Sequence, residues 1–370
     1  MRAIIAAAGT GGHINPGIAI ANKIKEEEPN SEIIFIGTGK KLEQDLVNRA
    51  GFKLRAIDAC GLSLNPKKLI KTLKGFGEAK KIIKEFKPDV VIGTGGYICG
   101  AVITEANKMN IPTLLHESNA FPGKAVKMLT NRTDTIMVGF DAAKDRLQGA
   151  KKIVVTGNPS KMGKLKLTNK QKDDLIKQLG LSVEKPILLV FGGSQGARAI
   201  NNSIIKIVKS KANKNYQIIW APGPIQYDII KEELEKDGFD INNIENVKVY
   251  PYIYNMEEIM NVADLLICRS GAMTINEVAL VGKPAIFIPL PGVSQNHQEY
   301  NARVLEDVGA AKIILNEELE KIDLNNKIEE LIFNQELLKQ MGKNAKKMSN
   351  QNSLDVIYKE IKDAILLHTC

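Results

Sequence analysis

The chain has 370 residues, 44% hydrophobic and 25% charged, which are ordinary globular proportions and enough length for two domains. Its four cysteines (Cys60, Cys99, Cys268, Cys370) contain no C-x-x-C pair, which argues against a zinc site or a disulfide framework and for reduced thiols. The opening apolar run stops at a glycine loop, too short for a signal peptide, and no stretch reaches the roughly 18 apolar residues that span a membrane.

The formal charge of +9 is one-sided. The first 160 residues hold 24 Lys+Arg against 15 Asp+Glu, and the remaining 210 hold 27 of each. Residues 61–88 alone carry eight lysines and two glutamates. Such an excess points to an acidic partner: nucleic acid, an anionic membrane or a phosphate-rich substrate.

In chain order, apolar runs predict strands at 3–7, 33–36, 90–93, 112–116, 135–138 and 153–156. Amphipathic segments such as 16–28 and 41–50 fit helices between them, which gives the β-α-β rhythm of a parallel sheet. Residues 157–168 carry turn formers and read as a linker. A second set of strands follows at 187–191, 217–221, 247–250, 265–268, 285–288 and 311–315. Helices are predicted at 199–209, 254–263, 271–281 and 297–308, with a lysine-rich helical tail from about 327.

Three glycine-rich loops stand at strand ends: A-A-G-T-G-G-H (7–13), G-T-G-G-Y (93–97) and G-G-S-Q-G-A-R (192–198). Amides in such loops, at helix N-termini, bind phosphate oxygens. The first is neither G-x-G-x-x-G nor a Walker A loop, but it has the strand–loop–helix context of a phosphate loop, with Thr10, Gly11 and Gly12 as candidate ligand contacts. His13 follows the glycines, either as a general base or as a structural hydrogen-bonder. His116, Glu117 and Asn119 cluster after another strand, where they can bind a sugar, orient a hydroxyl or cap a helix. Ser194 in the third loop fits an anion nest. Beyond Ser270-Gly271, the start of a helix at Ala272, Met273 and Thr274 favours a phosphate. Glu277 lies a turn further in, where it can accept from two ribose hydroxyls. His297 and Gln298 can read sugar hydroxyls.

Together with H-E-S-N, T-G-N-P, S-G-A-M-T-I-N-E and N-H-Q-E-Y-N-A, in this order from residue 7 to about 302, these motifs closely resemble the MurG-type peptidoglycan N-acetylglucosaminyltransferases. The resemblance implies an α/β chain of GT-B fold, two Rossmann-like domains with parallel sheets facing a cleft. Residues 1–160, with a returning helix at about 350–370, would form the acceptor and membrane-facing domain. Residues 165–345 would bind the UDP-sugar. The implied reaction is inverting transfer of N-acetylglucosamine from UDP-N-acetylglucosamine to the 4-hydroxyl of the muramic acid unit of undecaprenyl-linked lipid I, giving lipid II. It also implies action at the cytoplasmic face of the cell membrane, peripherally, with no cofactor and no metal.

By the same resemblance, His13 leads as proton acceptor and Glu117 competes with it. Asn119 positions sugar hydroxyls, and Ser194 with the Ala272–Met273–Thr274 backbone holds the diphosphate. Glu277 takes the ribose, His297 and Gln298 the N-acetylglucosamine, and the uracil lies near Tyr252–Ile253. Lys161 stands where the family often has arginine, Ser118 where it has glutamine, and His297 where some members have glutamine. No D-x-D metal motif occurs, so helix dipole, loop amides and Lys161 are expected to stabilise the leaving diphosphate. Residues 61–88 mix Leu62, Leu64, Leu69, Ile70, Leu73 and Phe76 with the lysines, either as a solvated face or as a contact with an anionic inner leaflet.

Three other functions are weighed against this one. A dinucleotide-dependent oxidoreductase requires a fingerprint that these loops lack. A transferase that glycosylates diacylglycerol would share the donor block. A nucleic-acid-binding module draws only on the charge, and aromatics at 5% offer few stacking platforms, so no nucleic-acid partner is expected.

Overall fold

A computed structural model of the chain describes residues 1–59, 66–193, 196–292 and 296–369. It divides into two compact units, Met1–Lys161 with Asn350–Cys370, and Met162–Ser349.

The first unit runs β1 (Arg2–Ala7), α1 (Gly11–Glu27), β2 (Glu32–Gly37), α2 (Lys41–Arg49), β3 (Lys53–Ala56), α3 (Pro66–Phe86) and β4 (Val90–Gly95). It continues with α4 (Ile98–Lys108), β5 (Thr113–Glu117), α5 (Lys124–Leu129), β6 (Thr135–Val138), a 3-10 turn and β7 (Ile153–Val155). Its seven strands are parallel in the order β3-β2-β1-β4-β5-β6-β7. Alternate side chains of each strand go to opposite faces. Ile4, Ala6, Ile34, Ile36 and Val91 pack under Ile82, Ile83, Ile98 and Val102 of α3 and α4. Ile5, Phe35, Val90 and Ile92 pack under Ile14, Ile20 and Ile24 of α1.

The terminal helix of the chain, residues Ser353–Thr369, joins that second face. Its Ile357 and Ile361 are buried beside α1, each contributing about 2 kcal/mol by the usual area scale. Glu28 latches it: one carboxylate oxygen accepts from Lys362 Nζ at 2.8 Å and Tyr358 OH at 2.9 Å. Lys362 and the Met1 amino group hold the Glu28 carboxyl down from 4.5 to about 2. A depressed carboxylate stabilises the fold above its unfolded value, and that stability is lost as pH falls from about 4.5 toward 2. Glu28→Gln should therefore cost about 1–2 kcal/mol at neutral pH and little at pH 2. Melting curves of both proteins across that range check this, and a pH-independent difference would refute it.

The second unit contains α6 (Asn169–Gln178), β8 (Ile187–Phe191), α7 (Arg198–Ser210), β9 (Gln217–Ala221), α8 (Pro224–Lys236) and β10 (Val247–Val249). After them come α9 (Met256–Val262), β11 (Leu265–Cys268), α10 (Ala272–Val281), β12 (Ala285–Phe287), α11 (His297–Glu306), β13 (Ala311–Ile313), α12 (Leu324–Ile332) and α13 (Gln335–Lys347). The terminal helix of the first unit is then α14. Six parallel strands lie in the order β10-β9-β8-β11-β12-β13. Within this unit Glu257 accepts from Gly163 N and Leu165 N, and Thr168 caps α6 through a capping box.

Two expectations need correction. Helix α1 begins at Gly11, five residues before Pro16, so the glycines and His13 form its first turn. Pro16 sits inside the helix, and packing against the sheet outweighs the one hydrogen bond it forgoes. Phe76 is turned inward onto the core, with Lys108 over its ring, and is no membrane-entering side chain. Of the expected sites, Ser194 lies outside the described residues, as do Cys60, Leu62, Leu64 and Cys370. Cys99 and Cys268 are buried free thiols, and burial pushes Cys99 up to about 12.

Candidate active site

In an open parallel sheet the strand order reverses at one point, and ligands bind in the crevice beyond the carboxyl ends of the strands there. In the first unit that point lies between β1 and β4, and in the second between β8 and β11. The three glycine-rich loops and S-G-A-M follow those four strands.

At the first switch point, the loop after β4 makes room for the loop after β1. Gly95 and Gly96 both have positive φ. A Cβ on Gly95 would lie 2.4 Å from His13 Cδ2, and one on Gly96 would lie 2.7 Å from Ala8 O. Only glycine at both positions lets the His13 ring and the Ala8 carbonyl approach. His13 Nδ1 is 2.9 Å from Ala8 O. A carbonyl only accepts, so Nδ1 carries a proton, and in the neutral ring Nε2 is the nitrogen with the lone pair. Thr94 Oγ1 donates to His13 O at 2.8 Å and fixes the backbone beneath the ring. Thr10 is the N-cap of α1 with no side-chain cap, so the Gly11 and Gly12 amides open the helix.

Glu117, Ser118 and Asn119 sit at the end of β5, beside β4. The Glu117 carboxylate accepts from Asn119 N, Asn119 Nδ2 and Gly123 N at 2.7–2.9 Å and is buried. Asn119 therefore braces this loop, and the N-cap of α5 is Gly123. His116 is fully buried, with Nε2 on Gly157 O and Nδ1 on the Ser118 hydroxyl; burial pushes it down to about 4, so it stays neutral. Ser118 is thus an internal support. Lys161 is exposed, at the end of the Met1–Lys161 segment of the first unit.

At the second switch point, α10 starts at Ala272 behind Gly271, with no side-chain cap and no acidic residue in its first turn. Its first amides and dipole are free for an anion. Glu277 is partly buried on this helix, and desolvation lifts its carboxyl to about 7. Gln298, in the first turn of α11, accepts from Leu290 N through Oε1 at 2.9 Å. His297 opens that turn. The Ile253 side chain is buried. Beside the third loop, Asn201 accepts from Trp220 Nε1 and donates to Pro222 O, both at 3.0 Å.

Two supporting residues escape sequence reasoning. Arg269 Nη1 donates to Ile288 O, Pro289 O and Asn316 Oδ1 at 2.9–3.0 Å, tying the end of β11 to the loop after β12. Glu43, buried in α2, accepts from the Gly9 amide. Both act across long sequence separations, and neither lies in a recognisable motif.

The glycosyltransferase family 28 N-terminal domain matches residues 3–138, and the family 28 C-terminal domain matches residues 187–357. A UDP-N-acetylglucosamine–N-acetylmuramyl-(pentapeptide) pyrophosphoryl-undecaprenol N-acetylglucosamine transferase of Thermoanaerobacter sp. (strain X514) is 44% identical over 98% of this chain and 99% of its own. The transferase of the same name from Acetivibrio thermocellus is 42% identical over 98% of each chain. The crystal structure of Acinetobacter baumannii MurG is similar at a TM-score of 0.77, with 27% identity over 98% of this chain and 99% of that one. Two parallel sheets with ligand loops at both switch points define a GT-B glycosyltransferase fold. The chain belongs to glycosyltransferase family 28 and, within it, to the UDP-N-acetylglucosamine–N-acetylmuramyl-(pentapeptide) pyrophosphoryl-undecaprenol N-acetylglucosamine transferases.

Proposed function

We propose that this chain transfers N-acetylglucosamine from UDP-N-acetylglucosamine to the 4-hydroxyl of the muramic acid unit of lipid I, forming lipid II with inversion at the anomeric carbon. The observation that carries the reading is His13. Its ring is seated on Gly95, with Nδ1 engaged by Ala8 and the Nε2 lone pair left for a proton. The first unit takes the acceptor. Nε2 of His13 removes the hydroxyl proton as the oxygen attacks the anomeric carbon, and the sugar–phosphate bond breaks to release UDP. Glu117 and Asn119 shape the acceptor loop, since the Glu117 carboxylate is already occupied by three N–H groups.

The second unit takes the donor. The Ala272, Met273 and Thr274 amides, with Ser194, receive the diphosphate and stabilise its growing charge. Glu277 holds the ribose, the Ile253 backbone the uracil, and His297 and Gln298 the sugar. Purified protein should turn over UDP-N-acetylglucosamine with a lipid I analogue, and UDP-glucose and UDP-galactose poorly. Activity with UDP-glucose on diacylglycerol would contradict the proposal, and abolition by chelators would overturn the metal-independent part.

No helix among the described residues is long and apolar enough to cross a membrane. The proposed site of action is the cytoplasmic face of the cell membrane, with peripheral contact through residues 61–88. Lys71, Lys74, Lys80, Lys81, Lys84 and Lys87 are exposed, as is Leu73. Asp58, Glu78 and Glu85 offset part of this charge. Each lysine near an anionic surface contributes about 1 kcal/mol. Binding to anionic vesicles should weaken with salt. Equal binding to neutral and anionic vesicles would exclude the electrostatic contact.

A further inference from the structure

His13 and the buried Glu43 are joined by a single peptide group. Glu43 stands in the first turn of α2 and is wholly buried. Its Oε1 accepts from Gly9 N at 2.9 Å and Thr38 Oγ1 at 2.8 Å, and its Oε2 from Thr38 N at 2.7 Å and Gly39 N at 3.0 Å. None of these partners carries a charge. The Gly9 N–H and the Ala8 carbonyl belong to one peptide group, and that carbonyl receives His13 Nδ1–H. The group is planar, so anchoring its N–H also sets the direction of its C=O. A carboxylate at the N–H end polarises the amide and makes its oxygen a stronger acceptor.

We infer that Glu43 is a positioning residue for proton transfer, acting on His13 through the Ala8–Gly9 peptide. It holds neutral His13 in the Nδ1–H tautomer, leaves Nε2 for the acceptor hydroxyl proton, and steadies the imidazolium that results. No proton travels along the path. The inference rests on the reading of His13 as the group that takes the proton.

The native chain provides the first test. It has four histidines, and ¹⁵N labelling with His13→Gln for assignment identifies the His13 ring nitrogens. The expected state is protonated Nδ1 with a lone pair on Nε2, and an Nε2–H tautomer would overturn the inference. The second test compares Glu43→Gln with Thr38→Val, which removes one bond of the same cluster. Glu43→Gln should lower kcat roughly 10- to 100-fold, by analogy with the loss of groups that orient metal-ligating histidines. KM should stay unchanged, and the tautomers should become mixed. Thr38→Val should lower the melting temperature but keep kcat and the Nδ1–H tautomer. Equal kcat losses in the two variants, or native kcat in Glu43→Gln, would overturn it. Native turnover in His13→Gln would overturn the proton-acceptor assignment itself, an outcome no Glu43 variant can mimic.

Discussion

His13→Ala is expected to lower kcat by about 10³-fold while UDP affinity stays near native, as removal of a general base does. Two features underlie the size of the loss. Ala8 O fixes the tautomer, and the Gly95 approach fixes the ring plane. Glu117 cannot take over without breaking structure, because its carboxylate already serves Asn119 and Gly123. Gly95→Ala should mimic the loss, since its Cβ would displace the imidazole. Glu117→Gln should instead raise the acceptor KM, by loosening the loop that Asn119 and Gly123 close. Steady-state kinetics with a separate UDP titration distinguish these outcomes. A tenfold loss of donor affinity with normal turnover in His13→Ala would refute its role.

The parts of this fold legible in the sequence are those whose cause is local. The strands at 135–138, 187–191, 217–221 and 265–268 match their predicted bounds because each is an apolar run buried on both faces. Strand β3 was not legible: K-L-R-A is a largely exposed edge with a polar composition. The start of α1 was misplaced because Gly11, Gly12 and Pro16 read as breakers, whereas Thr94 and the sheet hold that turn helical. The glycine loops mark the switch points, but their purpose emerges only in three dimensions. Gly95 and Gly96 are glycine because of His13 and Ala8, more than eighty residues away. Glu43 resembles any glutamate of a surface helix until Gly9 and Thr38 close over it. Ser118 reads as a substitution within a site motif, yet its hydroxyl supports the buried His116.

Glu277 should couple donor binding to pH, and the sign follows from its environment. Burial raises its carboxyl from 4.5 to about 7, so below that pH the ligand-free fold keeps it protonated. In the proposed role the ionised form accepts from two ribose hydroxyls, so donor binding at pH 6 should release a proton. Affinity should then rise with pH up to about 7 and level off above it. Glu277→Gln should weaken UDP binding about tenfold, the loss of one charged hydrogen bond, and abolish the pH dependence. Calorimetry in buffers of different ionisation enthalpy measures both. The same shift works against the empty fold. Between pH 4.5 and 7 the unfolded chain ionises Glu277 before the folded one does, so stability declines across that window. Glu277→Gln should therefore melt higher than the native protein at pH 8 without ligand, by of order 1–2 kcal/mol. The order should reverse once UDP saturates both proteins. A variant that melts lower in both states would mean that Glu277 supports α10 structurally and that the ribose is held elsewhere.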